Sequence, residues 1–413
     1  MKNTKNMKKT FILAATLIAF CGLSTIISCS KKETIESLKE VKQFDIPYGN
    51  FEEQISVGDL NSVGTVRKGI AMRDGFFYVI DGESEKIMEL ISYGDLLSLY
   101  YYEDSQTADL INKSERVPEC SHKTIGLQFD YPGQIAVDSN KTIYVTGTFI
   151  KKQQEVGPDG LLYSQGVLKF DRDGTNMDYI GQQGPGGKPF PLIKNIYITQ
   201  SDELVVVSNS NDGFIVYWIG KNGFPKYTVN INSSNIPKFK NPDIKNEIYA
   251  TISNVIPSQT DYKLYVYVDY YSTFVDDDSM VQSGVNYLQS LLYPLDCIKE
   301  TYDDSVSIPP YEESVVVDYS KLTYRIPYDF MGVTANGWKY FIIKNQDGFN
   351  IEMIQNESQK ILRRHLDVNQ QNNLYYDMHL SPEGIITALY LDKDTARVVW
   401  YRTDSLIDAI LNN

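Results

Sequence analysis

A hairpin-like pattern of apolar and polar positions recurs along the chain. In residues 131–145, YPGQIAVDSNKTIYV, Pro and Gly precede a short apolar strand, a polar turn and a second strand. Ile135 and Val137 are spaced two apart, as are Ile143 and Val145, so each strand can bury one face. Looser copies of the pattern lie at 68–82, 193–208, 330–343 and 378–392. Recurrence at intervals of tens of residues predicts a repeat architecture.

Six such units are predicted. Their first strands lie near Ile70, Ile135, Ile196, Ile252, Val333 and Met378. A second hairpin usually follows the first, as at 166–181 and 213–229, so each unit can form a four-stranded antiparallel sheet. Such sheets cover both of their faces when several pack radially. The predicted fold is an all-β propeller with six blades, and seven blades are the alternative if residues 272–325 contain another one.

The best-defined repeat resembles a known family. Residues 128–174, which contain QFDYPGQIAVDSNKTIYVTGT and GVLKFDRDG, resemble the NHL-type propeller repeat, and residues 181–199 resemble its inter-blade linker. The resemblance covers two units well and four loosely, and the chain departs from the family in its long inserts and in lacking the basic residues of some members. As a whole, the chain resembles bacterial six-bladed propeller lipoproteins, which implies a fold and a location but no catalysis.

The first 28 residues have the features of a lipoprotein leader. Four early lysines precede an almost uncharged apolar run at 11–27, which is the layout of a secretory signal peptide. The sequence IISC at 26–29 resembles a bacterial lipobox, which implies that Cys29 becomes the acylated first residue. An uncleaved anchor and an ordinary signal peptide cut elsewhere are the alternatives. Ser30 and Lys31 do not resemble the inner-membrane retention signal, so the outer membrane is favoured over the inner.

The rest of the chain divides accordingly. The predicted segments are a signal peptide, a flexible tether, the propeller and a C-terminal tail, at 1–28, 29–43, 44–406 and 407–413. Residues 44–58 are expected to supply the strand that closes the ring against the last blade, and the tail SLIDAILNN is expected to form a short helix. The longest insert, 272–325, is predicted to contain a helix at 283–300. Long loops on a rigid scaffold commonly carry binding surfaces.

Charge restricts the possible partners. The chain has 53 acidic and 39 basic side chains, a formal net charge of −14, and removal of the lysine-rich leader makes it more negative. Such a protein is repelled by phosphate groups, which argues against nucleic acid as a partner. The expected partners are the membrane, through the lipid anchor, and another protein of the envelope.

The cysteines and histidines predict no zinc site, because no CxxC or Cys/His spacing occurs. Cys21 would leave with the leader, and Cys120 and Cys297 are candidates for a disulfide, which an exported compartment would permit. The three histidines, His122, His365 and His379, lack a recognisable nucleophile motif. We expect His379 to be packed or at a rim rather than catalytic.

Clustered carboxylates around the long insert are candidates for a calcium site. They are Asp276, Asp277, Asp278, Asp303 and Asp304. Adjacent carboxylates repel one another and gain from a hard cation, although a solvated acidic loop is the commoner interpretation. No cofactor other than calcium is expected. The stretch 171–182 also alternates oxygen ligands, but its Gly174 is misplaced for an EF-hand loop, so a hairpin turn explains it better.

Three function classes remain open. The first is a non-enzymatic envelope lipoprotein whose propeller binds another protein or a ligand, and no catalytic residue is assigned to it. The second is a calcium-assisted hydrolase or lactonase that uses acidic residues in the central funnel. The third is a carbohydrate or peptide sensor that uses the tyrosines at 100–102 and 267–271, for which packing within the blades is the alternative.

Overall fold

The computed structural model describes most of the chain beyond residue 34, and the described residues are mainly β-strands. They are 35–58, 68–113, 122–128, 131–149, 153–175, 178–239, 244, 246–275, 282–317, 320–355 and 360–411. Residues Ser37–Asn413 belong to one compact unit, which contains the propeller. Among the described residues there are two helices, α1 (Gln106–Lys113) and α2 (Thr403–Leu411). Neither of them is long and apolar enough to cross a membrane.

The strands of the first half form three blades. The first two strands of the described chain are β1 (Glu36–Ser37) and β2 (Val41–Ile46). Blade one consists of β3 (Lys68–Arg73), β4 (Phe76–Asp81), β5 (Lys86–Leu90), β6 (Leu96–Tyr102) and β7 (Lys123–Leu127). Blade two starts with β8 (Ile135–Val137) and β9 (Ile143–Thr148), and after the separate hairpin of β10 (Glu155–Val156) and β11 (Leu162–Tyr163) it continues with β12 (Gln165–Phe170), β13 (Asp178–Gly181) and β14 (Gly184–Pro185). Blade three consists of β15 (Ile193–Ile198), β16 (Leu204–Ser210), β17 (Gly213–Ile219) and β18 (Pro225–Asn232).

The strands of the second half form the other three blades. Blade four consists of β19 (Ile248–Pro257), β20 (Lys263–Val275), β21 (Gln282–Asp296) and β22 (Thr301–Tyr302), and β23 (Val306–Ile308) also pairs with β21. A separate hairpin follows, made of β24 (Tyr311–Val317) and β25 (Ser320–Ile326). Blade five contains β26 (Asp329–Val333), β27 (Lys339–Asn345), β28 (Gly348–Gln355) and β29 (Lys360–Asp367). Blade six contains β30 (Asn373–Leu380), β31 (Ile385–Asp392), β32 (Ala396–Arg402) and the N-terminal strand β2.

The N-terminal strand closes the ring as predicted. β2 pairs antiparallel with β32, with Phe44 opposite Val398 and Ile46 opposite Ala396. Phe44 and Ile46 are buried, and Phe44 packs edge-on against Phe77 of blade one at a ring-centroid distance of 5.1 Å. The predicted C-terminal helix is confirmed as α2. Pairing of the two chain ends removes the edge that an open last blade would leave for aggregation.

Apolar side chains fill the interfaces between neighbouring blades. On β4 of blade one, Val79 packs with residues of blade six, whereas Tyr78 and Ile80 pack with residues of blade two. On β20 of blade four, Val266 faces blade three and Tyr267 faces blade five. Because alternate residues of a strand face opposite neighbours, each blade is buried on both sides by radial packing. The all-β propeller of six blades is therefore confirmed, and each predicted first strand contains its expected residue.

The helix predicted at 283–300 is wrong, because residues 282–296 form the long strand β21. Leu291, Tyr293 and Leu295 pack towards blade three, whereas Leu292 packs towards blade five. This two-residue alternation matches a strand that is buried on both faces. Pro294 lacks the N–H that a helix interior needs, whereas the strand accommodates it opposite Tyr265. Pairing with β20 thus prevails over the local helical pattern.

Candidate functional site

A central channel runs between the six innermost strands, which are β3, β8, β15, β19, β26 and β30. Residues of all of these strands or of their ends line one cavity of about 140 Å³. A wider pocket of about 520 Å³ lies where β3 and β30 begin. Polar side chains gather at both ends of the channel. We call the end near the strand starts the carboxylate mouth, defined by Asp269, Asp329, Tyr376 and Asp377, and the opposite end the arginine end, defined by Arg73, Gln259 and His379.

The carboxylate mouth brings two aspartates of neighbouring blades close to one tyrosine. Asp329 is the first residue of β26, and Asp377 lies on β30, where its Oδ2 accepts a hydrogen bond from the Ile70 N–H at 2.9 Å. Burial raises the pKa of Tyr376, and the negative charges of Asp329 and Asp377 raise it further. The pKa of Asp329 is itself raised by burial, against the opposing effect of Lys194. Negative charge is therefore concentrated where the channel opens.

Two lysines balance part of that charge. Lys194 donates from Nζ to the carbonyl oxygen of Ser253 at 2.7 Å, and its Nζ lies 4.6 Å from the ring centroid of Phe214. Lys344 lies over the ring of Tyr376, with Nζ 5.2 Å from the centroid. Ammonium groups therefore lie near the carboxylates, and a ligand there meets both hydrogen-bond acceptors and donors.

Asp269 adds a buried carboxyl group to the mouth. It lies on β20 and accepts hydrogen bonds from the hydroxyls of Ser253 and Ser290, and the Ser290 hydroxyl also bonds to that of Tyr287 at 2.8 Å. Burial raises the pKa of Asp269, its two serine partners oppose the rise, and the charge of Asp329 adds to it. The charge of Asp329 thus acts on Asp269 across the interface between blades four and five.

Asn373 contributes unused hydrogen-bonding capacity. Both of its amide atoms, Nδ2 and Oδ1, are buried and have no hydrogen-bond partner among the described residues. The residue begins β30 and lines the 520 Å³ pocket together with Gln134, Lys344, Tyr375 and Tyr376. A buried polar group that lacks a partner costs about 1–3 kcal/mol, so a bound ligand or water is the expected partner.

Two hairpins project next to the carboxylate mouth. The β20–β21 hairpin continues beyond Asp269, where Tyr271 and Tyr287 pack edge-on with a centroid distance of 5.8 Å. The β24–β25 hairpin leads into β26 and exposes Tyr324, and the charge of its Arg325 acts on the pKa of Tyr287. The long insert predicted from sequence therefore supplies strands and hairpins beside this opening.

The arginine end is formed where the inner strands finish. Arg73 ends β3, His379 is the penultimate residue of β30, and Gln259 follows β19. Burial and the positive charge of Arg73 lower the pKa of His379 to about 4, so its imidazole is neutral at pH 7. His379 lines the channel wall, as predicted for a packed or rim histidine.

The predicted calcium ligands do not meet at the channel. Asp303 pairs with Lys263 at 2.7 Å on the outer part of blade four, and Asp304 is its neighbour in the chain. Asp276, Asp277 and Asp278 lie outside the described residues. Within the ranges that the structure describes, no three His, Cys, Asp or Glu side chains are grouped to hold a metal ion. The calcium site remains a prediction from the sequence.

The predicted lipid and disulfide positions are only partly visible. Cys29 and Cys120 lie outside the described residues. Cys297 is buried, and burial together with the charge of Asp296 raises the pKa of its thiol to about 12. Cys297 bonds to no other described cysteine. Its pairing with Cys120 remains a prediction.

The other histidines and most of the predicted aromatic residues have structural partners. His122 contacts the carboxylate of Glu52, and His365 Nδ1 lies 2.7 Å from Asn350 Oδ1. Tyr100 is fully buried, as is Tyr267, so packing is their main role. The polar residues that line the channel, in contrast, were not recognised from the sequence. Their signal was a polar side chain at an inward position of an inner strand, as for Asp377 between Tyr376 and Met378.

Comparisons with known proteins are distant. No protein-family model and no curated protein matches the chain. Among solved structures, a gluconolactonase from Xanthomonas campestris is 10% identical over 81% of this chain and 85% of its own, with a TM-score of 0.39. An ulvan lyase of polysaccharide lyase family PL25 is 11% identical over 88% and 83%, with a TM-score of 0.40, and a streptogramin B lyase is 12% identical over 82% and 94%, with a TM-score of 0.36. Likeness at this level assigns no function, and the residues of the channel have to supply it.

Proposed function

We propose that this protein is an exported, lipid-anchored envelope protein whose propeller binds a polyhydroxylated ligand, a carbohydrate, at the carboxylate mouth. The observation that carries the proposal is the set of polar groups there. Asp377 and the unpartnered amide of Asn373 line a pocket of about 520 Å³, and the charge of Asp329 acts on Tyr376, which lines the same pocket. That volume lies within the range of about 300–1,000 Å³ that is usual for ligand pockets.

The chemistry of the mouth suits hydroxyl groups. Carboxylates accept hydrogen bonds from hydroxyls, lysines donate to them, and an amide such as that of Asn373 does both. Tyr376 adds an aromatic ring held between Asp329, Asp377 and Lys344. A carbohydrate offers many groups that act as donor and acceptor, so it can satisfy this mixed set better than an apolar ligand could. The sequence predicted a propeller that binds another protein or a ligand, and a carbohydrate site corresponds to the second of these.

Two neutral variants test the site. The full-length protein, purified in detergent, is screened on a glycan array, and the strongest hit is titrated by calorimetry. We expect Asp329→Asn and Asp377→Asn each to weaken binding by about tenfold or more, because hydrogen bonds to a charged group contribute about 1.5–3 kcal/mol. Asp173→Asn is the matched control, since the Asp173 side chain is 66% exposed and pairs with Lys123 on the outside of the blades. Equal affinities of all three variants would remove the mouth as the binding site.

The anchoring rests on the lipobox at 26–29, with the acylated residue at Cys29. Several acyl chains on one cysteine would hold the protein firmly, at about 0.8 kcal/mol per buried CH₂. Metabolic labelling with a radioactive fatty acid is expected to mark the wild-type protein and not Cys29→Ser. Label on both proteins would place the lipid elsewhere, and label on neither would favour an unacylated anchor. The outer-membrane location and the NHL-type assignment of the repeat remain predictions.

Hydrolysis is a second candidate, because the pKa values of two neighbouring carboxyl groups are both raised. Asp269 and Asp329 lie across one blade interface, and burial favours the protonated form of each. A carboxyl group that holds its proton closer to neutral pH can act as a general acid. If the glycan hit or a lactone is turned over, Asp329→Asn is expected to abolish turnover and Asp173→Asn to preserve it. A bound glycan that stays intact through long incubation would leave binding as the function.

A further inference from the structure

Three polar atoms at the arginine end have no partner, and all three belong to residues that line the same cavity. They are Arg73 Nε, Gln259 Oε1 and His379 Nδ1, each buried and each without a hydrogen-bond partner among the residues described. They come from blades one, four and six, so the propeller brings them together across the channel. Several buried polar atoms without a partner around one cavity favour a ligand that hydrogen-bonds to them, because a buried polar group left unpaired is unfavourable.

The charge at this end favours an anion. Arg73 Nε lies 3.9 Å from Asp74 Oδ2, and the same carboxylate accepts a hydrogen bond from Lys141 Nζ at 3.1 Å. Lys141 also donates to the Arg73 carbonyl oxygen at 3.3 Å. The largely exposed carboxylate of Asp74 is thus shared by two cations, Arg73 and Lys141. The neighbouring His379 is neutral at pH 7. Asp377 lines the same cavity, but its Oδ2 accepts a hydrogen bond from the Ile70 N–H, so Arg73 is the cation that a ligand at this end meets.

The size and the donor pattern define the ligand further. The cavity measures about 140 Å³, and a buried cavity of about 150 Å³ accommodates a molecule of roughly six heavy atoms, such as benzene. The Arg73 Nε–H and the Nδ1–H tautomer of His379 can both donate to one carboxylate. Gln259 Oε1 can only accept, so it requires a hydroxyl or another donor on the ligand.

We propose that the arginine end binds a small hydroxycarboxylate of about the size of lactate. Its carboxylate accepts hydrogen bonds from Arg73 and His379, and its hydroxyl donates to Gln259. The cavity also reaches Asp377 of the carboxylate mouth, but the three atoms that define this site lie where the inner strands end, so the site does not depend on carbohydrate binding at Asp329. It is a binding site, and no chemical step is assigned to it.

The probe is L-lactate, titrated into the full-length protein in detergent by calorimetry at pH 7. We expect lactate to bind and pyruvate, which lacks the hydroxyl, to bind at least about tenfold more weakly, because a site built to accept from a hydroxyl discriminates against its loss. Glycerol, which has hydroxyls but no carboxylate, is expected to give no signal. Absence of lactate binding at millimolar concentration would mean that the channel holds water only and would overturn the proposal.

Matched variants locate the bound lactate. Arg73→Lys is expected to weaken lactate binding by about tenfold or more, since lysine cannot reproduce the planar donor group. Arg402→Lys is the control and should leave lactate binding unchanged, because the Arg402 side chain is 47% exposed and pairs with Asp404. Gln259→Leu is expected to bring the affinities for lactate and pyruvate together. Asp329→Asn should leave lactate binding intact, so failure of the carbohydrate proposal and failure of this one are distinguishable. Loss of lactate binding in Asp329→Asn but not in Arg73→Lys would contradict the placement of lactate at the arginine end.

A second measurement covers the case in which Arg73→Lys does not fold. In the wild-type protein, saturation with lactate is expected to move the imidazole proton resonances of His379, identified by their absence in His379→Gln. The resonances of His122 and His365, which contact Glu52 and Asn350, are expected to stay in place. Lactate that binds without moving the His379 signals lies elsewhere, which would refute the proposal.

Discussion

The two ends of the central channel are formed by the same six inner strands, yet they present different polar groups and have different surroundings. At the carboxylate mouth, Asp329 and Asp377 face an opening flanked by the long β20–β21 and β24–β25 hairpins. At the arginine end, Arg73 and His379 line a narrower cavity, and short turns connect the strands. The propeller thus offers two chemically distinct sites along one axis, because its inner strands present different polar residues at their two ends.

The difference extends to how acid affects each end. The pKa of His379 is lowered by burial and by Arg73, whereas the pKa values of Asp269 and Asp329 are raised by burial. Burial favours the neutral form in both cases. As the pH falls, keeping His379 neutral costs more free energy, whereas keeping the two carboxyl groups neutral costs less. The two ends should therefore contribute to stability with opposite dependence on pH.

The largest expected effect concerns the ion pair beneath the carboxylate mouth. Lys68, the first residue of β3, lies 2.5 Å from Asp81 Oδ1, and both side chains are fully buried. Its carbonyl oxygen accepts from the Tyr375 hydroxyl at 2.7 Å, which ties blade six to blade one at the opening. Removal of one partner of a buried pair costs about 3–5 kcal/mol. We expect Asp81→Asn to lower the free energy of unfolding, measured by urea denaturation, by about 3 kcal/mol. This is the low end of the range, because Glu83 lies 3.1 Å from Lys68 and still offers it a carboxylate.

The same variant has a defined pH dependence. Burial alone would raise the pKa of Asp81, but Lys68 and the Ser56 N–H bring it below the usual 3.8. A lowered folded pKa contributes stability that is present above pH 3.8 and is lost as the pH falls further. The difference between wild type and Asp81→Asn should therefore shrink in strong acid. The exposed pair of Asp173 and Lys123 is the control, and Asp173→Asn should change stability by less than about 0.5 kcal/mol. An Asp81→Asn protein as stable as this control would show that the mouth does not depend on the pair.

Prediction from sequence succeeded where a pattern repeats and failed where a contact is made between distant segments. The inner strands, the closing strand β2 and helix α2 follow from local alternation and from the need to close the ring. The strand β21 was mistaken for a helix, because Leu291 and Leu292 are buried on opposite faces by blades that are far away in sequence. This alternation, in which successive residues of β21 are buried against opposite blades, can be recognised only when both neighbouring blades are known.

The candidate sites could be predicted only in outline. Acidic residues in the central funnel were expected for one function class, but Asp269, Asp329 and Asp377 were not singled out. Each stands alone in its strand, separated from the others by tens of residues, so no local motif marks them. The carboxylates that do cluster in sequence, such as Asp303 and Asp304, lie away from the channel. Closure of the ring, rather than spacing along the chain, brings the functional groups together.

The second prediction tests the arginine end. Because the pKa of His379 is about 4 in the folded protein and the ordinary value is 6.5, the unfolded chain takes up a proton between these pH values and the folded protein does not. Stability is therefore lost as the pH falls from 6.5 towards 4. We expect His379→Gln to reduce this loss by about 2 kcal/mol, measured as the difference in unfolding free energy between pH 7 and pH 4.5. His365→Gln serves as the control and should leave that part of the loss in place. Parallel curves for wild type and His379→Gln would mean that the histidine does not carry the acid sensitivity of this end.

The smallest expected effect has the opposite sign and belongs to the carboxylate mouth. A folded pKa of Asp329 above 3.8 means that the folded protein holds this proton more tightly than the unfolded chain does. The folded state therefore loses stability as the pH rises from 3.8 through the folded pKa, and at pH 7 the ionised group is destabilising. We expect Asp329→Asn to raise the free energy of unfolding at pH 7 by less than about 1 kcal/mol, because the side chain is partly exposed and solvent screens its charge.

That gain should disappear at pH 3, where Asp329 is protonated in both states. Lys194 keeps its hydrogen bond to the Ser253 carbonyl oxygen in the variant, so the substitution does not leave the ammonium group without a partner. Ligand binding and stability should then change in opposite directions at this end, because the carboxylate that weakens the fold is the one that meets the ligand. A loss of stability in Asp329→Asn at pH 7 would instead make Asp329 a structural residue, paired with Lys194, and would leave the mouth with Asp377 as its main acceptor.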